Sequence, residues 1–275
     1  MPEPAPDDPP ARSADRYRWL LVAMMVSVLT VTTVAWLLVV IGQQAWLARS
    51  FGVDFRILMD GLDRWRATGE WYRPRQLSGP YPIEIGDILY PPVVIYLLVP
   101  FHELGPLAWS IIPVAIVGWA VWRHRPTLWA LVLIAGCVAW PFTPAKFVFG
   151  NPVIWATAML ALATFRGWPA AFLLLKPTIA PLALFGIRDR RWWLAVGALV
   201  ILSLPLLQDT LRYPEVLLNA QTNVADGRGG PLYSLTELPL LAIPLLAWLG
   251  RRRGVATVES AGRLAATPAE SSLSG

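Results

Sequence analysis

Between Trp19 and Ile41 the chain runs for about 23 residues without a charged side chain. At about 1.5 Å of rise per residue, a helix of that length crosses a hydrocarbon layer roughly 30 Å thick with some tilt. No other feature restricts the fold as much, because backbone groups in lipid must satisfy each other internally. The run is too long for a secretory signal and no small-residue cleavage site follows it, so the expectation is a retained membrane helix. Apolar residues make up 56% of the 275 positions and charged residues 15%, which excludes an ordinary soluble domain. The 15 Trp fall largely at the ends of apolar runs, where an amphipathic ring suits the headgroup layer. Cys137 stands alone in the sequence, which rules out an intramolecular disulfide and a Cys-rich metal site and suits a small buried apolar residue. The net charge of +5 comes largely from arginines beside apolar runs, so it speaks for orientation in a membrane rather than for nucleic acid.

An all-α, polytopic membrane fold follows. Residues 1–18 and 254–275 read as disordered cytoplasmic tails around a single transmembrane catalytic domain, 19–253. Arg12, Arg16 and Arg18 hold the start of the first span in the cytoplasm, which puts the connection 42–105 outside. Leu89–Leu104, interrupted by Pro91, Pro92 and Pro100, reads as an interfacial or re-entrant outer helix, and Pro106–Trp122 as the next span. Thr127–Phe142 then runs outward, Thr143–Asn151 turns, and Pro152–Phe165 returns. Trp168–Ile187 has basic residues at both ends and Lys176-Pro177 in its middle, which predicts a broken re-entrant hairpin of two half-length helices. Trp192–Leu207 crosses outward, 208–232 is a second polar outer loop, and Tyr233–Gly250 returns to Arg251-Arg252-Arg253. The total is about six full spans, with both termini cytoplasmic in the cell membrane.

The long polar stretch Val53–Pro92 carries six carboxylates and five arginines, more than a corner between helices needs. Leu58, Leu62 and Trp65 share one face of an amphipathic helix, with Asp60 and Asp63 on the solvated side. Asp54 at its start has two readings: a helix cap, or a general base held at the water boundary. Tyr90-Pro91-Pro92 suits a helix start, and Asn151 suits the cap of the helix after it. Lys176 inside an apolar run calls for an anionic partner such as a lipid phosphate, with Lys146 and Arg228 as lesser candidates for the same duty. No metal-ligand spacing, phosphate loop, dinucleotide fingerprint or serine-nucleophile motif appears.

Asp54 in a first outer loop, Gly69-Glu70-Trp71-Tyr72, Tyr90-Pro91-Pro92, Gly150-Asn151 and Leu175-Lys176-Pro177 occur in an order that resembles the polytopic C-type glycosyltransferases. The resemblance spans roughly Asp54 to Arg191 and is nearest to glycosyltransferase family 87, whose members are polyprenyl-phosphate-mannose-dependent mannosyltransferases. It departs from that family where Gly150-Asn151-Pro152 compresses a Gly-Gln-x-x-Asn landmark, and in its apparent shortness by several helices. The resemblance implies a sugar, mannose in the family, passed from a polyprenyl-phosphate donor to a glycan or lipid acceptor. It implies Asp54 as the catalytic carboxylate and Lys176 facing the donor phosphate, with Tyr90, Asn151 and Arg228 as further substrate contacts. No metal ligand is expected and a divalent cation is left open. The expected partners are the bilayer, the donor and acceptor, and a membrane partner chain that the short length would call for. A lipid or glycan transporter and a non-catalytic envelope scaffold are the rival expectations.

Overall fold

The computed structural model describes residues 51–84, 86–140, 142–221 and 235–251, with a few isolated positions between 20 and 31. Most of the Trp19–Ile41 run, both tails, the second half of the 208–232 loop and Arg228 lie outside the described residues. Among the described residues the regular structure is helical, apart from one isolated bridge between Pro126 and Arg251. In chain order the helices are α1 (Val53–Thr68), α2 (Pro74–Leu77), α3 (Ile95–His124), α4 (Leu128–Ala139), α5 (Phe142–Phe149) and α6 (Val153–Ala163). Two 3-10 arms follow, Trp168–Leu175 and Pro177–Gly186, and then α7 (Arg190–Ser203), α8 (Leu207–Gln221) and α9 (Leu238–Leu249).

Among the described residues two stretches are long and apolar enough to cross a membrane, Pro92–His124 and Arg190–Ala220. The pair α4 and α5, bent by 59°, makes a third if it is taken as one broken span. This is a polytopic helical membrane fold, and among the described residues some of the expected spans are shorter than the sequence suggests. The expected spans Pro152–Phe165 and Tyr233–Gly250 form helices of 11 and 12 residues. At about 1.5 Å per residue neither covers a full hydrocarbon layer. Residue α6 positions from Val153 to Ala163 are buried on nearly every side, so this helix is the centre of the bundle. Its alanines let α3, α9 and the first 3-10 arm approach closely.

Two expected loops are helices. Thr143–Asn151 was expected as a turn, yet Phe142–Phe149 is helical, because Pro144 falls in the first turn where a missing N–H costs nothing. The 208–232 loop begins as α8, which continues the apolar rod of α7 through a 3-10 turn at Leu204–Leu206. Tyr213, Val216, Leu217 and Ala220 recur at helical spacing and face inward, a period hidden by the polar residues between them. In α3 the chain leaves helical geometry at Gly105 (φ 76°, ψ 178°), between the two segments that the sequence separates.

The hairpin at 168–187 has the broken form expected of it. Lys176 is extended (φ −123°, ψ 102°) between the two arms, which pack against each other along their length. At its base Gly186 lies so close to Gly167 that an added Cβ would collide with the Gly167 carbonyl. The Trp168 amide donates to Asp189 Oδ2 at 3.1 Å and closes the same end. Gly186→Val is therefore expected to cost about 1–3 kcal/mol through overpacking, read as a lower unfolding temperature in detergent. Gly197→Ala, where an added Cβ meets open space, is the control.

The polar stretch before α3 is a folded cap rather than a loose loop. Gln76, fully buried, accepts from the Arg73 amide at 3.1 Å and donates to Tyr81 Oη at 3.2 Å and the Ile88 carbonyl at 3.1 Å. The Tyr81 hydroxyl in turn donates to the Val216 carbonyl at 3.2 Å, tying the cap to α8. Arg75 holds both Asp87 oxygens at 2.7 and 2.8 Å and Glu84 at 2.6 Å.

Candidate functional site

A cavity of about 190 Å³ lies where the cap, α1, the start of α6 and the hairpin tip meet. That is room for a head group or a sugar ring rather than for a whole lipid. Asp54, Tyr90, Asn151 and Lys176 all line it, so four of the five residues singled out in the sequence share one site. They come from positions as far apart as 54 and 176 and meet only through the fold.

Asp54 enters from the first turn of α1. The cap of that helix is Gly52, in left-handed geometry (φ 68°), with its amide bonded to the Val148 carbonyl at 2.7 Å. The capping explanation of Asp54 therefore does not hold. Its carboxylate instead accepts from Asn151 Nδ2 at 2.6 Å. Asn151 does cap the helix after it, as its position suggests, with Oδ1 accepting from the Val153 amide at 3.0 Å. The one side chain thus fixes both the entry of α6 and the rotamer of Asp54. Burial pushes the Asp54 carboxyl above its ordinary value. The Asn151 hydrogen bond and the ammoniums of Lys146 and Lys176 oppose that rise by favouring the ionised form.

Tyr90 is pinned by its backbone. Trp71 Nε1 and the Tyr72 hydroxyl both donate to its carbonyl, at 3.1 and 3.0 Å. Burial pushes the Tyr90 hydroxyl up, so it enters any chemistry as a neutral donor. Pro91 and Pro92 then open a 3-10 turn into α3, the helix start expected of them. Asp87 also lines the cavity, but Arg75 neutralises it and its side chain has no exposure.

Lys176 reaches the cavity from the hairpin tip. Its partner in the structure is Glu237, at 2.9 Å, with side-chain exposures of 13% and 9%. Tyr90 Oη lies at 3.5 Å from Nζ, and the Tyr90 ring centroid at 5.6 Å. The anionic partner expected for Lys176 is thus supplied from within the chain, at the start of α9. Sequence reasoning passed over Glu237. The signal was its place just inside the apolar run Tyr233–Gly250, where a carboxylate is costly without a cation to meet it. Lys146 in α5 acts on Asp54 through charge, while Arg228 lies outside the described residues.

No family model, curated protein or solved structure matches the chain.

Among the described residues no group of three or more His, Cys, Asp or Glu could hold a metal ion. Beside Asp87, which Arg75 holds, the cavity offers the Asp54 carboxylate, one ammonium held by an internal acid, a neutral phenol and a fixed amide. Such a set can take a proton from a hydroxyl and hold an anion beside it.

Proposed function

We propose that the protein is a membrane glycosyltransferase that moves a sugar from a polyprenyl-phosphate donor to a glycan or lipid hydroxyl at the outer face of the cell membrane. The observation that carries this reading is the convergence of Asp54, Tyr90, Asn151 and Lys176 on one cavity in a helical membrane fold. Asp54 is the general base. Asn151 holds its carboxylate, and burial raises its proton affinity towards that of a useful base. Lys176 and Tyr90 meet the donor phosphate. As the acceptor oxygen attacks the anomeric carbon, its proton passes to Asp54. The sugar–oxygen bond breaks with its electron pair left on the phosphate. The donor's chain lies in the bilayer, so its head group enters from the membrane side. Mannose as the sugar comes from the family resemblance alone, whereas the outward-facing site and the cytoplasmic termini rest on the arginines beside the apolar runs.

A transporter for a lipid-linked glycan is the second reading, favoured by the discontinuous hairpin with a buried ion pair at its tip. One experiment separates the two. Full-length protein in nanodiscs is given labelled polyprenyl-phosphate mannose, then the glucose and arabinose analogues, with membrane glycan acceptors. Covalent label on the acceptor is the expected result. Absence of transfer with every donor, alongside movement of the donor across liposomes, would overturn the enzyme in favour of the transporter.

A further inference from the structure

We propose that Glu237 sets the charge of the head group that the cavity holds, favouring a singly charged phosphodiester over the doubly charged monoester. The inference rests on the donor reading above and concerns how that site distinguishes its substrate from its product. When the sugar leaves, the bridging oxygen keeps the electron pair. The phosphate changes from a diester with one charge to a monoester that carries about −1.5 to −2 at neutral pH.

The structure supplies an unusual balance for a phosphate site. Anion sites of high affinity gather arginines or amides, whereas the cation lining this cavity is Lys176, and Glu237 already holds it at 2.9 Å. Lys176 lines the cavity, while Glu237, which holds its ammonium, is not among the lining residues. The other charged and titratable groups around the cavity are accounted for. The ammonium of Lys146 acts on Asp54 through charge, Arg75 is shared by Asp87 and Glu84, and Tyr90 is a neutral phenol. Glu237 holds Lys176, and Asp54 feels the ammoniums of Lys146 and Lys176, so among the described residues no cation lining the cavity is left unopposed before an anion enters. One added negative charge is offset by the near face of Lys176. Among the described residues a second finds no further cation lining the cavity, and it feels the carboxylates of both Glu237 and Asp54. Once Asp54 has returned its proton to water, the monoester is the worse fit, and it leaves.

The test needs no turnover. Farnesyl phosphate and its methyl diester are titrated against the full-length protein in phosphatidylcholine nanodiscs, with affinity read by calorimetry. At about pH 7.5 the diester is expected to bind about tenfold more tightly, the effect of one extra like charge near the surface of the protein. In Glu237→Gln the monoester should gain most of that factor while the diester changes little. A second reading uses the unaltered protein, so it stands even if the variant does not fold. Lowering the pH to about 5.5 protonates most of the monoester to a single charge, and the monoester should then approach the diester in affinity. Protonation of Asp54 over the same range relieves the second charge too, so the same titration of the ligand ratio on Asp54→Asn separates the phosphate's proton from that of Asp54. A ratio that Glu237→Gln leaves unchanged, tighter binding of the monoester by wild type at neutral pH, or binding of neither probe would overturn the proposal. Failure of sugar transfer with the ratio intact would remove the enzyme and leave the anion site. Transfer without the ratio would remove the role of Glu237 alone.

Discussion

Lys176→Met alone is expected to destabilise the protein by about 3–5 kcal/mol, and Glu237→Leu by a similar amount, because each leaves one buried charge without its partner. The double variant, Lys176→Met with Glu237→Leu, should recover most of that loss. Two charges buried to 13% and 9% exposure have given up their water, and the 2.9 Å contact between them is what offsets the cost. Removing both replaces an ion pair by apolar side chains of similar length at the meeting of hairpin and α9. Unfolding in detergent, followed by denaturant or temperature, gives the coupling directly as a double-mutant cycle. Additive losses would show that the ammonium and carboxylate do not depend on each other. The same pair decides function in the opposite sense. The double variant should be stable and unable to hold an anion, so stability and binding part company there.

How far the sequence discloses this arrangement depends on the kind of signal. Apolar run length makes a helical membrane protein legible in Pro106–Trp122 and Trp192–Leu207, and the broken hairpin is legible because Lys176-Pro177 interrupts a run with basic residues at both ends. Both follow from local chemistry. The helix from Leu207 to Gln221 is harder to see, since Asp209, Arg212, Glu215 and Asn219 interrupt the apolar pattern and Pro214 suggests a break. Its inward positions find their partners in the cap, through Tyr81 and the Val216 carbonyl, and a distant partner leaves no mark on the local period. The short reach of α6 and α9 is equally opaque, because run length alone cannot tell a full span from a buried core helix. Glu237 is the instructive miss. A lysine in an apolar run requires a counter-charge, and a carboxylate inside another such run could supply it. What the sequence does not hold is the meeting of the hairpin tip with the start of α9.

Asp54→Asn is expected to lower sugar transfer by about 10²–10⁴-fold while leaving the fold intact. The amide oxygen of the new side chain can still accept from Asn151 Nδ2, so the link between α1 and the start of α6 survives and the basic lone pair is what is lost. The pH profile tests the same residue without removing it. Burial favours the neutral acid and raises the Asp54 carboxyl above its ordinary value, while the base needed for transfer is the ionised form. Activity should therefore fall as the pH drops through that raised value, on an acid limb lying above the usual carboxylate range. Asn151→Ser sharpens the test. A serine still caps α6 by accepting from the Val153 amide, but it is too short to donate to Asp54. With that donor gone the ionised form loses support, and the acid limb should move to higher pH while the rate at its plateau changes little. A limb that stays in place would assign Asn151 to the cap of α6 alone. A limb that vanishes in Asp54→Asn and shifts in Asn151→Ser would tie the proton taken from the acceptor to one carboxylate and to the amide that holds it.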